Sequence, residues 1–253
     1  MSGKIRFVAS PVPAAQKALE LMKAQYGQSD LDSAEIIVAL GGDGFMLRTL
    51  HHLIDSGLPV YGMKLGNVGF LMNRYVEEDL KQRLNDANMV ELNPLRMKCR
   101  CVDGEVFSAL AINEVSLVRQ TNQAAHIQIL VNDLIKVEAL VCDGVLVSTA
   151  AGSTAYNLSA HGPILPLGTD ALALTPISPF RPRRWKGAIL PVTARIKLEV
   201  IDAQDRSVSA TADYNEFRNV KSVEVFEDRS TTLKLMFDPD HSLEERILNE
   251  QFL

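Results

Sequence analysis

The run Ile36-Ile37-Val38-Ala39-Leu40 leads straight into Gly41-Gly42-Asp43-Gly44, and that turn leads into a helical pattern from Phe45 to Ile54. This order of strand, glycine turn and helix is how α/β proteins build phosphate sites. The turn exposes backbone N–H groups, and the helix N-terminus adds positive potential. Glycines let an anion approach the backbone with no Cβ in the way. Asp43 is out of place in a simple phosphate loop because it would repel the ligand. It therefore holds a metal ion or takes a proton from a nucleophile, unless it only caps the helix.

Around this turn the chain alternates strand and helix. Ile5 to Ala9 reads as a strand, and Pro13 to Gln25 as a helix opened by proline and ended near Gly27. Val60 to Met63 reads as a third strand. Val76 to Ala87 reads as a helix with Glu77, Glu78 and Asp79 in its first turn. From about Met89 the period changes to two. Leu95 to Val102 alternates and turns at Asp103-Gly104, and Glu105 to Val118 continues as strand. His126 to Val131 and Leu134 to Leu140 flank an Asn132-Asp133 turn. Further strands are expected over 194–201, 207–211, 222–226 and 231–237, with a short helix capped by Ser242 in the tail. The predicted fold class is an α/β N-terminal domain with a Rossmann-like parallel sheet, residues 1–90, followed by a mostly antiparallel β domain, residues 91–237.

Bulk properties remove several function classes. With 253 residues the chain can bury a sizeable core, and a formal net charge of -5 argues against a dedicated nucleic-acid partner. No apolar run reaches membrane-span length, and the N-terminus lacks a signal-peptide core. Cys99, Cys101 and Cys142 are odd in number and lack metal-site spacing, so they read as buried small hydrophobes in a reducing, cytoplasmic setting. No P-loop, dinucleotide fingerprint or nucleophile elbow is present.

Three more segments carry chemistry. Leu65-Gly66-Asn67-Val68-Gly69-Phe70-Leu71 places Phe70 beside a glycine bend, as a ring-stacking group or as core. Asn113-Glu114 interrupts an apolar strand with an amide and a carboxylate suited to a ribose diol, although an edge or turn position would explain it too. The richest block runs from Cys142-Asp143-Gly144 through Ser148-Thr149-Ala150-Ala151-Gly152-Ser153-Thr154 to Ala155-Tyr156-Asn157-Leu158-Ser159. Here a strand enters a small-residue turn, and a helix begins near Ser153 or Thr154 as cap. Small residues admit a flat ligand and Tyr156 would cover it.

These segments, in this order, resemble the NAD kinase family. The matching elements are the Gly-Gly-Asp-Gly turn, the Gly-x-x-Gly-Phe-Leu bend, Asn-Glu, and the block from Asp143 through Ser159, continued by Gly162-Pro163-Ile164-Leu165 and Thr175-Pro176-Ile177. The glycine turn is shared with lipid and sugar kinases, whereas the Gly144 to Leu165 block is specific. The resemblance implies transfer of the γ-phosphoryl of ATP to the 2′-hydroxyl of the adenosine ribose of NAD, giving NADP. It makes Asp43 the proton acceptor, with Gly41, Gly42 and Gly44 at the ATP phosphates. It places Asp43, Gly44, Arg48, Phe70, Asn113, Glu114, Asp143, Ala151, Thr154, Ala155, Tyr156, Asn157, Leu158, Ser159 and Asn215 at the NAD. It implies Mg²⁺ or another divalent cation with ATP, with no metal ligands assigned. It also implies a homodimer or homotetramer, and a tail, residues 238–253, that returns to the N-terminal domain, often together with the last strand. Polyphosphate is an alternative donor.

The chain departs from the family pattern in three places. Thr149-Ala150-Ala151-Gly152-Ser153 lacks a proline, and Asp213-Tyr214-Asn215 stands where Asp-Gly-Gln is usual. The segment Ser178 to Trp185 is rich in arginine, Arg181 to Arg184 included, as an anion contact flanked by Trp185 or as an ordinary charged loop. The rival readings are a kinase for a lipid or sugar and a non-catalytic NAD sensor.

Overall fold

The computed structural model describes residues 4–65, 69–183 and 185–239. Two compact units emerge: residues 1–92 with 231–253, and residues 93–230. The first begins β1 (Ile5–Ala9), α1 (Pro13–Tyr26), β2 (Ile36–Leu40), α2 (Asp43–His52) and β3 (Pro59–Lys64). It continues with β4 (Asn73–Arg74), α3 (Leu80–Asp86) and β5 (Asn88–Leu92). Alternation along the strands sends Ile5, Phe7, Val38, Leu40, Tyr61 and Met63 to one face. There they meet Ala18, Leu19 and Met22, which recur at helical spacing on α1. Each fully buried large side chain of this kind contributes about 1.5–3 kcal/mol.

The second unit carries β6 (Leu95–Cys101), β7 (Val106–Ala111), β8 (Glu114–Arg119), β9 (Ala125–Val131), β10 (Leu134–Cys142) and β11 (Gly144–Ser148). After a 3-10 turn at Ala151–Thr154 comes a one-turn helix, α4 (Tyr156–Ser159). Then follow β12 (Ala171–Ile177), β13 (Ala188–Pro191), β14 (Ile196–Val200), β15 (Val208–Ala212), β16 (Asn215–Phe217) and β17 (Val220–Glu227). Among the described residues they form two antiparallel sheets, ordered β10-β9-β14-β17-β6-β7 and β13-β12-β11-β8-β15-β16. Side chains from both sheets fill one shared core. Cys99, Cys101 and Cys142 lie in it as free thiols, and burial pushes Cys99 up to about 11 and Cys142 to about 12. Trp185 packs against the same core. Arg181 and Arg183 lie over the Phe180 ring, and Arg184 is outside the described residues.

The last described strand, β18 (Leu233–Phe237), pairs parallel with β3 and antiparallel with β5. The first unit's sheet therefore runs β1-β2-β3-β18-β5, with β4 on β3. The sequence reading carried the β domain through residue 237, so this strand is a correction. Polar groups explain it. Asp238 accepts from the Tyr61 hydroxyl (2.5 Å) and from Arg83 Nη2 (2.6 Å), and its N–H donates to Asn73 Oδ1 (3.0 Å). The Asn73 amide donates in turn to Gly62 O and Met236 O. Residues 240–253 lie outside the described residues, and with them the expected tail helix.

Two further expectations change. The helix expected over 76–87 is only Leu80–Asp86, with Glu77, Glu78 and Asp79 ahead of it and Asp79 left-handed at φ 55. Tyr26 supplies the missing cap: its hydroxyl donates to Glu77 O (2.6 Å) and accepts from Leu80 N (3.3 Å). The continuous strand expected from Glu105 to Val118 is two strands, β7 and β8, which belong to different sheets. The break between them builds part of the candidate site.

Candidate active site

In the first unit the glycine turn follows β2, and Gly41 N–H donates to Met63 O on β3 (3.0 Å). Gly42 is the extended N-cap of α2, and its carbonyl accepts from Phe45 and Met46 (both 2.9 Å). Asp43 is thus the first helical residue, two positions earlier than the apolar pattern suggested, and the cap carries no side chain. A Cβ on Gly41 would meet Phe45 at 2.7 Å, so this glycine lets the helix fold back against the strand end. A Cβ on Gly44 would meet nothing within 4 Å, so that side of the turn is open.

Asp43 is held from one direction. Its Oδ1 accepts from Leu71 N–H (2.9 Å), and a Cβ on Gly69 would stand 1.7 Å from its Oδ2. Gly69 is required here for space, because any side chain would evict the carboxylate. Gly66, Asn67 and Val68 lie outside the described residues, so only Gly69 to Leu71 of the bend are placed; Phe70 is half-buried. The sequence reading passed over Lys64, at the end of β3. Its Cε and Nζ come within 3.7 and 4.0 Å of where a Gly42 Cβ would be. The available signal was its place between a buried strand and the glycine bend. Arg48 is exposed and lines a cavity with Arg6, Phe45 and His52, a lining that includes none of Gly41 to Gly44.

In the second unit the chain leaves one sheet at Ala111 and enters the other at Glu114. The Asp213 carboxylate holds this crossing. It accepts from Ile112 N–H (2.7 Å), Asn113 N–H (3.0 Å) and Glu114 N–H (3.2 Å), while Asp213 N–H donates to Glu114 O (3.1 Å). Asp213 sits at φ 52 between β15 and β16. Its role was not foreseen, and the signal was the Asp-Tyr-Asn element itself. Thr149 secures the other side: its N–H donates to Asn113 O (2.9 Å) and its hydroxyl to Ile112 O (2.7 Å) while accepting from Gly152 N–H (3.0 Å). A Cβ on Gly152 would fall 2.2 Å from Asn113 O, so the Ala151–Thr154 turn lies directly on this backbone.

The result, among the described residues, is two buried acceptor atoms with no partner, Asn113 Oδ1 and Glu114 Oε2. A buried polar atom left unpaired costs about 1–3 kcal/mol, so such a pair marks a place where a ligand supplies donors. Burial, and then the charge of Asp213, push the Glu114 carboxyl up to about 7, against which the Tyr156 N–H works by donating to it. Burial and the charges of Glu114 and Asp143 push the Tyr156 hydroxyl up as well. Glu114, Asp143 and Tyr156 therefore share one electrostatic neighbourhood, with the Tyr156 side chain 37% exposed.

Other predicted members are placed differently. Asn157 is fully buried; its amide donates to Ser153 O and Pro163 O and accepts from Thr175, so both of its donors are spent on the scaffold. Ser153 is no cap: its hydroxyl exchanges hydrogen bonds with Leu165. Ala155 precedes α4 rather than lying on it. Asp143 is paired with Arg119 Nε (2.6 Å). Ala151 is buried, Thr154 and Leu158 are half-buried, and Ser159 and Asn215 are exposed. Tyr214 is 50% exposed.

Comparison with known proteins agrees with this architecture. The family model described as ATP-NAD kinase N-terminal domain matches residues 10–89, and that of the ATP-NAD kinase C-terminal domain matches residues 112–227. An NAD kinase from Cereibacter sphaeroides is 57% identical over 99% of this chain and 98% of its own length. One from Rhizobium meliloti is 53% identical over 98% of this chain and 96% of its own. Among solved structures, yeast NADH kinase complexed with NADH superposes with a TM-score of 0.81 at 20% identity, covering 98% of this chain and 86% of that one. An NAD kinase from Archaeoglobus fulgidus in complex with ATP gives 0.76 at 22% identity, covering 96% and 98%. These two likenesses speak for the fold, whereas the two family models and the near full-length relatives settle descent: the chain belongs to the NAD kinase family.

Proposed function

We propose that this chain transfers the γ-phosphoryl group of ATP to the 2′-hydroxyl of the adenosine ribose of NAD. The observation that carries the reading is the pair of unpartnered buried acceptors, Asn113 Oδ1 and Glu114 Oε2. A ribose diol and an adenine amine supply hydroxyl and amino donors that such a pair needs. In the transfer, the 2′-oxygen forms a bond to the γ-phosphorus and the bond from that phosphorus to the β,γ-bridging oxygen breaks. The proton of the hydroxyl goes to Asp43, and ADP and NADP leave. Leu71 N–H aims the Asp43 carboxylate, and Gly69 leaves it room. The turn amides at Gly42 and Gly44 receive the donor phosphates, with Lys64 supplying a cation beside Gly42; the amide of Gly41, expected to join them, is spent on Met63 O.

Phosphoryl transfer depends on positioning and charge neutralisation, which is what these groups provide. No cluster of three or more His, Cys, Asp or Glu stands among the described residues, and Asp43 is the carboxylate at the turn. That donor set fits a divalent cation carried by the triphosphate, which would neutralise its charge, and does not fit an all-protein cage. Tyr156 and the Ala151–Thr154 turn flank the adenosine contacts, with Asp143 in the same electrostatic neighbourhood, and Phe70 is a separate NAD contact offered by the first unit. We place the enzyme in the cytoplasm as a homodimer or homotetramer; no helix among the described residues is long and apolar enough to cross a membrane. A donor–acceptor matrix tests the reading: ATP, other triphosphates and polyphosphate against NAD and NADH. NADP formed from ATP and NAD supports it, and phosphorylation of neither dinucleotide by any donor overturns it.

A further inference from the structure

A cavity of about 410 Å³ opens on the α2 side of the first unit's sheet, beside the edge strand β1. That volume is within the usual range of small-molecule sites. Val8, Ile37 and Leu53 give it an apolar floor, while Arg6, Arg48 and His52 supply cationic or proton-donating groups. Among the described residues no acidic side chain lines it, and neither arginine has an acidic partner. Arg6 spends one long contact on Ser29 O (3.4 Å), which leaves most of its fork unused. His52 Nδ1 faces Arg48 O (3.1 Å), so Nε2 remains for another group. Two guanidinium groups without counter-charge above an apolar floor are complementary to a carboxylate on an apolar body.

We infer that this cavity binds a small amphipathic organic acid, and that its occupancy is felt at the glycine turn. The second clause rests on Phe45. Its ring forms one wall of the cavity and also packs against Gly41, so closely that a Cβ there would meet it at 2.7 Å. An occupant that presses the Phe45 ring toward the strand end pushes it onto the Gly41 backbone, and by linkage donor binding then changes the occupant's affinity by the same factor. The binding clause is independent of the catalytic reading; the coupling clause rests on it.

The test uses the full chain and octanoate, with octanol as the uncharged counterpart, followed by titration calorimetry. Saturable octanoate binding at one site is expected, with octanol at least about tenfold weaker, the factor that one charge-assisted contact supplies. Arg6→Gln should weaken octanoate about tenfold by the same loss. Leu31→Glu, which adds an anion to the lining from an exposed turn, should do likewise without removing an arginine. Absence of saturable binding overturns the site, as do octanol binding as tightly as octanoate or both variants binding like the wild type. Initial rates test the coupling: octanoate should shift KM for ATP in the wild type, and Arg6→Gln should need about tenfold more octanoate for the same shift. An unchanged KM with octanoate bound overturns the coupling and leaves the phosphoryl-transfer reading untouched, because that reading is judged by NADP formation without octanoate.

Discussion

Two carboxylates, Asp43 in the α/β unit and Glu114 in the β unit, are positioned in opposite ways. Asp43 stands at a helix start, half-buried, aimed by one N–H and by the missing side chain of Gly69. Glu114 is half-buried, its Oε2 out of water and unpartnered among the described residues, its backbone clamped by Asp213. The first arrangement keeps a carboxylate ready to meet a substrate proton. The second holds an acceptor out of water at a cost that only a ligand's donors offset. One unit is thus shaped for reaction and the other for recognition.

The largest way to break this contrast is Gly69→Ala. A methyl group 1.7 Å from Asp43 Oδ2 must displace the carboxylate, so turnover should fall by about 10²–10⁴, as for loss of a general base, with NAD affinity kept. Steady-state kinetics beside NAD titration checks this. Next is Asp213→Ala, which strips three backbone N–H groups of one charged acceptor. A loss of about 3 kcal/mol in stability and a rise of about 10²-fold in KM for NAD are expected, read by denaturant unfolding and kinetics. Lys64→Met should raise KM for ATP about tenfold and leave KM for NAD unchanged, with partial rescue by Lys64→Arg.

The smallest effect concerns pH. The Glu114 carboxyl is raised from 4.5 to about 7, so the native state holds more protons than the unfolded chain between those values. Its contribution to stability is therefore present at low pH and is lost as pH rises through about 7. Glu114→Gln should raise the unfolding midpoint of the apo protein by several degrees at pH 8 and leave it nearly unchanged at pH 5, by calorimetry. The same variant should bind NAD more weakly, because a ribose hydroxyl donates to the charged form. Wild-type affinity for NAD should fall as pH drops below about 7.

The sequence revealed the glycine turn, the alternation before residue 90 and the Asn113-Glu114 pair, because each depends on residues adjacent in the chain. The parts it hid depend on distant partners. No local pattern tells that Asp213 will hold residues 112–114 and so split the run from Glu105 to Val118 between two sheets. Nor does the alternation of Leu233–Phe237 name its neighbour; Asp238, Asn73 and Arg83 decide that. Asn157 looked like a pocket residue because polar residues in a small-residue turn suggest ligands, yet its amide is spent on Ser153, Pro163 and Thr175. Lys64 escaped notice because a lone lysine after a strand has no signature until the fold brings it to Gly42.

The division between reaction and recognition is tested most directly by Asp43→Asn, assayed for ATP-dependent formation of NADP and titrated with NAD. The account predicts that kcat falls by about 10²–10⁴ while the NAD dissociation constant stays at the wild-type value. Wild-type turnover in that variant, or loss of NAD binding equal to the loss of rate, would contradict it.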